Sequence, residues 1–76
     1  MKAIVELMGG LHALERSGRR SIEVTIYGTR VDALLEEAGI PRGSAGIIVV
    51  GGKMVEVDYE ILDGDLIQVY PPLDGG

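Results

Sequence analysis

A single segment with helical periodicity, set between segments with strand periodicity, limits the folds open to this chain. Its apolar residues recur at the i, i+3, i+4 and i+7 spacing of an amphipathic helix, and they are Val31, Leu34, Leu35 and Ala38. Thr29 is the predicted N-cap. Gly39 suits a left-handed C-cap, and Pro41 prevents the helix from continuing. We therefore expect one short helix in a fold built mainly from strands.

The other apolar segments predict five strands. These are Ala3–Met8, Ser21–Tyr27, Ile47–Val50, Lys53–Val55 and Asp65–Tyr70. The residues expected to face the core are Ala3, Val5, Leu7, Ile22, Val24, Ile26, Ile67 and Val69. The first two strands should form an antiparallel hairpin across a loop, Ile47–Val50 should be an inner strand, and Gly51-Gly52 should form a tight turn. The predicted order is β-β-α-β-β-β, an α+β fold with one helix packed across one face of a mixed sheet.

Chain length and missing residue types exclude most catalytic chemistry. Seventy-six residues provide one small core and little room for a cofactor pocket. Because the chain has no cysteine, it cannot form a disulfide, a thiolate zinc site or a thiol nucleophile. His12 is the only histidine, and the acidic residues match no calcium-loop spacing. Gly51-Gly52-Lys53 is not a phosphate-binding loop, because Ile47 and Met54 occupy the positions that require Gly and Ser or Thr. We expect neither an enzyme, nor a metal site, nor a stably bound cofactor.

Charge is distributed unevenly along the chain. Residues 1–53 contain all seven basic side chains and six acidic ones, whereas the segment from Met54 onward has six carboxylates and no Lys or Arg. An acidic surface repels phosphate backbones and suits a basic protein partner, although it can also serve solubility alone. Arg16, Arg19 and Arg20 are interpreted as a solvated loop, because no aromatic residues are interleaved with them. We expect no nucleic-acid partner.

The apolar runs are too short to span a bilayer, and the first residues do not form a secretory signal. We therefore expect a cytoplasmic protein that has no membrane partner.

Two prolines separate the last residues from the predicted sheet. Pro71 and Pro72 have no backbone N–H, so the sheet must stop at Tyr70, which divides the chain into a folded domain, residues 1–70, and a C-terminal arm, residues 71–76. The arm beyond Pro72 spans at most about 13–14 Å. Gly75 and Gly76 lack a Cβ, so their backbone can enter a constricted channel. The pattern favours a carboxylate delivered to a narrow site; a frayed tail with an incidental glycine pair is the alternative.

The order of these elements resembles the ubiquitin-like β-grasp sulfur carriers, the family that contains the small subunit of molybdopterin synthase and the thiamine-pathway sulfur carrier. The similarity covers the whole chain. It is most specific from Asp63 to Gly76, where an Asp-Gly-Asp turn, an alternating strand, an aromatic residue, Pro-Pro and Gly-Gly follow without a gap. The Pro-Pro-x-x-Gly-Gly ending looks more like the molybdopterin branch. The resemblance implies a ubiquitin-like β-grasp fold.

The resemblance also implies a carrier that is a substrate of enzymes and not itself a catalyst. An adenylyltransferase of the ubiquitin-activating type would use ATP to adenylate the Gly76 carboxylate. A persulfide sulfur would then displace the nucleotide and lead to a thiocarboxylate on Gly76. In the molybdopterin branch, the arm would enter the large synthase subunit and donate sulfur to a pterin precursor.

Two groups of residues would then contact partners. The arm residues that would enter a partner channel are Pro71, Pro72, Leu73, Asp74 and Gly75. If the first and last strands are neighbours, as in the family, the helix-free face of the sheet would carry Ile4, Met8, Leu66, Gln68 and Tyr70.

Three alternatives to the molybdopterin role stay open at this point. A ubiquitin-like protein modifier would share the activation step but would end in an isopeptide bond to a target lysine. A carrier for thiamine-thiazole synthesis or another sulfur-transfer pathway would differ only in its acceptor. A regulatory binding module would not need Gly75 and Gly76 at all.

Overall fold

The computed structural model describes residues 1–41 and 43–72 and contains one α-helix and a five-stranded mixed sheet. The strands are β1 (Lys2–Leu7), β2 (Ser21–Thr25), β3 (Ile47–Val50), β4 (Lys53–Val55) and β5 (Leu66–Tyr70). The helix α1 (Val31–Ala38) follows β2, and a short 3₁₀ helix (Leu11–Leu14) lies between β1 and β2. The predicted α+β class and the predicted order of the main elements are confirmed.

The sheet has the strand order β2-β1-β5-β3-β4. β1 pairs with β2 in antiparallel register and with β5 in parallel register, so the first and last strands are neighbours. β5 and β4 both pair with β3 in antiparallel register, which confirms β3 as an inner strand. The last strand therefore occupies the middle of the sheet, with two strands on either side.

The alternation of each strand puts one apolar row against α1. Ala3, Val5 and Leu7 of β1 and Ile67 and Val69 of β5 are buried, as predicted. Ile26 is also buried, whereas Ile22 and Val24 on the edge strand β2 are only partly buried. From α1, the predicted stripe contributes Val31, Leu34 and Leu35 as buried residues, and Ala38 packs against them.

The helix begins one residue later than expected, and the predicted N-cap is wrong. Arg30 occupies the N-cap position without a side-chain cap hydrogen bond, while the Thr29 hydroxyl accepts a 3.1 Å bond from the Tyr27 amide. The first helical amides have tertiary partners instead: Val31 N–H donates to the Tyr59 carbonyl at 3.0 Å, and Asp32 N–H donates to the Val57 carbonyl at 2.8 Å. A side-chain cap is unnecessary because neighbouring backbone satisfies these donors.

The C-terminal end of the helix follows the prediction. Gly39 has φ +87°, in the left-handed region, and its amide donates to the Glu36 carbonyl at 3.1 Å. The Ile40 amide closes the motif on the Leu35 carbonyl at 2.9 Å.

Two segments without a clear periodic pattern also contribute to the core. Leu11, in the 3₁₀ helix within the predicted loop, is buried, and so is Ile61, between β4 and β5. The connection from Leu14 to β2 is organised by Glu15, whose Oε1 accepts hydrogen bonds from the Ser17 and Arg19 amides, both at 2.9 Å. In the part of the chain that the structure describes, no helix has the length and hydropathy of a membrane span.

Candidate functional site

The candidate site begins at the end of β5, where the central strand leaves the sheet. The Tyr70 carbonyl accepts a 2.7 Å hydrogen bond from the Gly46 amide, and Tyr70 is paired with Ile47 of β3. On the other side, the Met8 amide donates to the Val69 carbonyl at 2.8 Å. Backbone hydrogen bonds from the residue before β3 and from the residue after β1 therefore hold the last two residues of β5.

Two glycines flank the prolines that follow. A Cβ on Gly9 would lie 3.0 Å from Cγ of Pro71, and a Cβ on Gly46 would lie 2.5 Å from Cα of Pro72. Gly9 has φ +60°, which favours glycine, whereas Gly46 is required by space alone. Pro71 is partly buried and Pro72 is exposed. The two prolines thus pack on the sheet domain through its backbone.

The remaining predicted arm residues, Leu73, Asp74, Gly75 and Gly76, lie outside the described residues. The described part of the chain ends at Pro72, beside Gly46, and these four residues continue from that point.

The face of the sheet opposite α1 carries the other predicted group. The parallel register pairs Ile4 with Leu66, and both residues are 42% exposed. Glu6 is paired with Gln68, and Gln68 Nε2 donates to Glu6 Oε1 at 3.1 Å. Tyr70 is partly buried two residues further along β5, and Met8 directly follows β1. The structure therefore brings Ile4, Met8, Leu66, Gln68 and Tyr70 to the helix-free side.

This face extends onto β3 and β4, which the sequence reasoning did not include. Val49 is paired with Gln68 on one side and with Met54 on the other, and Met54 is 74% exposed. Ile47 lies beside Tyr70 in the next row. The unbroken apolar run of β3 indicates this extension, because a strand without alternation presents apolar side chains on both faces of the sheet.

A polar pair lies between two apolar rows on this face. Ile4 and Leu66 form one row, Glu6 and Gln68 the next, and Tyr70 with Ile47 forms the row nearest Pro71. Exposed apolar side chains grouped on one face form a candidate protein-binding surface. We call these three rows, together with Met8, Val49 and Met54, the open face.

The acidic side chains near β5 lie at its other end. Asp63 and Asp65 precede Leu66, so they are separated from Tyr70 by the length of β5, roughly 16 Å. Asp63 Oδ1 accepts from the Lys2 amide at 2.7 Å. Asp65 Oδ2 accepts from the Tyr59 hydroxyl at 2.9 Å and from the Leu62 amide at 2.8 Å. These two carboxylates therefore organise the turn that enters β5 and do not surround the start of the arm.

Asp65 also changes the acidity of its neighbour. The hydrogen bond from Tyr59 raises the pKa of that phenol above its ordinary value of 10.0, with smaller contributions from desolvation and from the negative charge of Asp65. Over residues 1–41 and 43–72, no cluster of three or more His, Asp or Glu side chains could hold a metal ion.

Comparison with known proteins identifies the family that this chain matches. The model of the Mut7-C ubiquitin family matches residues 1–74. No curated protein matches the chain.

Solved structures share the fold over the whole chain. A protein of Pyrococcus furiosus assigned as molybdopterin converting factor, subunit 1, has 28% sequence identity and a TM-score of 0.72, over 96% of this chain and 99% of that one. Small archaeal modifier protein 1 of Haloferax volcanii has 15% identity and a TM-score of 0.69, over 95% and 98%. A complex of subunits 1 and 2 of molybdopterin-converting factor from Helicobacter pylori contains a chain with 17% identity and a TM-score of 0.65, over 100% of both. The resemblance to the ubiquitin-like β-grasp sulfur-carrier family is confirmed at the level of family and fold.

Proposed function

This chain belongs to the Mut7-C ubiquitin family, and from that premise we propose that it is a sulfur-carrier protein whose functional group is the carboxylate of Gly76. The observation that carries this proposal is the attachment of the arm. Pro71 and Pro72 leave the central strand and pack against Gly9 and Gly46, so the arm starts from a defined point on the domain. A short arm on a fixed base can present its end at a set distance from a docked partner.

The proposed chemistry starts with activation. A carboxylate is a poor acyl donor because its leaving group would be oxide. In the active site of an adenylyltransferase of the ubiquitin-activating type, a Gly76 carboxylate oxygen attacks the α-phosphate of ATP, and pyrophosphate leaves. The product is a mixed anhydride whose leaving group is AMP. ATP is consumed by the partner, and this chain holds no cofactor of its own.

Sulfur enters in the next two steps. The terminal sulfur of a donor persulfide attacks the acyl carbon, AMP leaves, and an acyl disulfide joins Gly76 to the donor. A second thiol then attacks the donor sulfur of that disulfide, and the Gly76 thiocarboxylate leaves while the two thiols form a disulfide. The chain has no cysteine, so Gly76 is where it would hold nucleophilic sulfur. We place these reactions in the cytoplasm, where ATP is available.

The acceptor we favour is the large subunit of molybdopterin synthase, which would use the sulfur on a pterin precursor. Support comes from the 28% identity to the Pyrococcus protein assigned as molybdopterin converting factor, subunit 1. The Helicobacter structure is itself a complex of subunits 1 and 2 of such a factor. The open face, with Ile4, Leu66 and Tyr70, is the proposed surface for that partner.

Protein modification is the second candidate function. It is favoured by the similarity to a small archaeal modifier protein, which covers nearly all of both chains. Both functions need the adenylate on Gly76, and they differ in the acceptor, a sulfur donor or a lysine amine. A carrier for thiamine-thiazole synthesis or another sulfur-transfer pathway would use the same activated terminus.

The test is mass spectrometry of the intact chain and of its C-terminal peptide after incubation with ATP, a sulfide source and the organism's adenylyltransferase. Replacement of oxygen by sulfur adds about 16 Da, close to the gain from methionine oxidation. The gain must therefore map to Gly76 and react with an alkylating agent, and the chain that lacks Gly75 and Gly76 is the matched control. An unmodified Gly76 in the presence of an active adenylyltransferase would refute the proposal. Conjugates with lysine and no thiocarboxylate would favour the modifier.

A further inference from the structure

A groove runs along the outer side of β2, between this strand and α1. Its volume is about 350 Å³. Ile22 and Val24 of β2 line one wall, and Leu34, Leu35 and Ala38 of α1 line the other. The two β2 side chains are only partly buried, although they point to the same side of the sheet as the core. The apolar layer thus continues to the edge of the sheet without being fully covered.

The backbone of β2 is free to pair on its outer side. Among the residues that the structure describes, β2 is the terminal strand of the sheet and its backbone bonds only to β1. The ladder is fixed by the bond from the Leu7 amide to the Arg20 carbonyl and by the bond from the Ile26 amide to the Met1 carbonyl. Because antiparallel bonding alternates, the even-numbered residues of β2 bond to β1. The N–H and C=O groups of Ser21, Glu23 and Thr25 therefore point outward.

Several features that usually protect an edge strand are absent from β2, and Glu23 is the one charged side chain on it. The strand Ser21–Thr25 has five residues, three of them β-branched, and contains no proline or lysine. Its register with β1 is continuous over all five residues, so no bulge turns it away. The opposite edge, β4, has only three residues, and a short strand offers few groups for pairing.

Positive charge lies at one end of this edge. Arg16, Arg19 and Arg20 are all exposed, and they immediately precede β2. Arg16 also lines the groove, as does Glu37 on the wall formed by α1. The alternation of the strand puts Arg20 on the same side as Ile22 and Val24. A segment lying in the groove would meet this basic cluster at one end.

We propose that the outer edge of β2 is a docking site for an extended segment of another protein. The segment adds to the sheet as a sixth strand, bonded to the outward groups of Ser21, Glu23 and Thr25. Its alternate side chains are aliphatic and enter the groove, and its acidic residues lie beside Arg16, Arg19 and Arg20. This mode combines main-chain bonding with side-chain selection. It is separate from the Gly76 chemistry and from the open face.

A second copy of this chain fits the edge less well than such a peptide. Two β2 strands paired in antiparallel fashion about Glu23 would bring the two Glu23 side chains directly opposite each other. Each basic cluster would then lie beyond the far end of the other strand, where Ile26 and Tyr27 follow and no carboxylate is present. Charge complementarity therefore selects an acidic peptide.

The test uses the full chain and two synthetic peptides of about ten residues, acetylated and amidated. Each peptide contains a segment of alternating Val and Thr. In the first peptide three Asp residues follow this segment, and in the second three Asp residues precede it. Amide hydrogen exchange is measured by NMR with and without peptide. We expect one peptide to slow exchange at Ser21, Glu23 and Thr25, whose amides face solvent in the free protein. The basic cluster precedes β2. Binding of the peptide in which Asp comes first would therefore indicate a strand parallel to β2, and binding of the other would indicate an antiparallel strand.

A matched pair of variants tests the backbone contact. Glu23→Pro removes one outward N–H without removing a bond to β1, whereas Glu23→Ala retains that N–H. We expect binding to weaken about tenfold or more with Glu23→Pro and to change little with Glu23→Ala. Arg20→Glu should weaken binding about threefold to tenfold, and Lys53→Glu on the opposite edge is its control.

Three results would overturn the proposal. The first is that neither peptide protects the β2 amides. The second is protection on the open face, with Glu23→Pro and Glu23→Ala binding equally. The third is concentration-dependent dimerisation through β2 without peptide, measured by sedimentation, which would make a second copy the occupant.

Discussion

A Cβ on Gly46 would lie 2.5 Å from the Cα of Pro72, so the backbone of the arm's first residues is in direct contact with the backbone that precedes β3. The same glycine donates its amide to the Tyr70 carbonyl at 2.7 Å. Gly46 therefore both closes the sheet at the end of β5 and leaves the space through which the two prolines pass. The start of the arm depends on a residue that lies outside it.

Gly46→Ala should displace Pro71 and Pro72, because the nearest neighbours of the new methyl group are backbone atoms that cannot rotate away. We expect a loss of about 1–3 kcal/mol in the free energy of unfolding, measured by urea denaturation. Slower thiocarboxylate formation on Gly76 should accompany it. Gly10→Ala is the matched control, since its Cβ would meet nothing within 4 Å and its φ is −87°. Equal stability of the two variants would contradict the proposed contact.

Leu66→Arg should weaken binding to the large subunit of molybdopterin synthase without unfolding the domain. Leu66 is 42% exposed beside Ile4 on the open face, so a charge there is tolerated by the free chain but would be buried in the complex. We expect affinity to fall about tenfold or more by isothermal titration calorimetry. Leu14→Arg, at a site with similar exposure in the 3₁₀ helix, should bind like the unaltered chain. Unchanged affinity of the Leu66 variant would exclude this face.

Tyr59→Phe should make stability less sensitive to alkaline pH. The bond to Asp65 raises the pKa of Tyr59 above 10.0, so the folded state retains the phenolic proton more tightly than the unfolded state. The resulting stabilisation is complete below the pKa of about 10 that Tyr59 has in the unfolded state. It is lost as pH rises through the pKa that Tyr59 has in the folded state. The free energy of unfolding, measured with urea from about pH 8 to pH 11, should fall more steeply for the unaltered chain than for Tyr59→Phe. Tyr27→Phe, at a residue that is 85% exposed, is the control and should retain the steep decline.

Glu15→Ala should destabilise the connection between the 3₁₀ helix and β2. The buried carboxylate accepts two amide hydrogen bonds, from Ser17 and Arg19, and alanine leaves both donors without this partner. A loss of about 1–3 kcal/mol is expected in urea unfolding. Glu37→Ala, on the outer part of α1, should change stability by less than about 0.5 kcal/mol. If Glu15→Ala lost no more stability than Glu37→Ala, the two hydrogen bonds that Glu15 accepts would contribute little.

Much of the fold follows from local patterns in the chain. The period of the apolar residues identifies α1 and the inward rows of β1 and β5, because burial selects one face of each element. Gly39 and Pro41 end the helix through backbone geometry alone. The loss of a donor at Pro71 similarly ends the sheet at Tyr70. In each case the cause lies within a few residues of its effect.

Local patterns failed where the partner of a group is distant in sequence. Thr29 has the chemistry of an N-cap, but the carbonyls of Val57 and Tyr59 satisfy the first helical amides. Leu11 and Ile61 are buried without a periodic pattern around them, because neighbouring elements cover them. The extension of the open face to Met54 likewise depends on how β3 and β4 are registered.

The sequence by itself determined the number and type of the main elements, their inward rows and the point at which the sheet ends, since each is set by backbone geometry or by burial of one local face. Only the tertiary structure decided that Gly46 packs against Pro72 and that Ser21, Glu23 and Thr25 face outward on an edge. Those relationships depend on which strands are neighbours. Pairing between segments far apart in the chain is selected by the packing of the whole core, and no short stretch of residues carries that information.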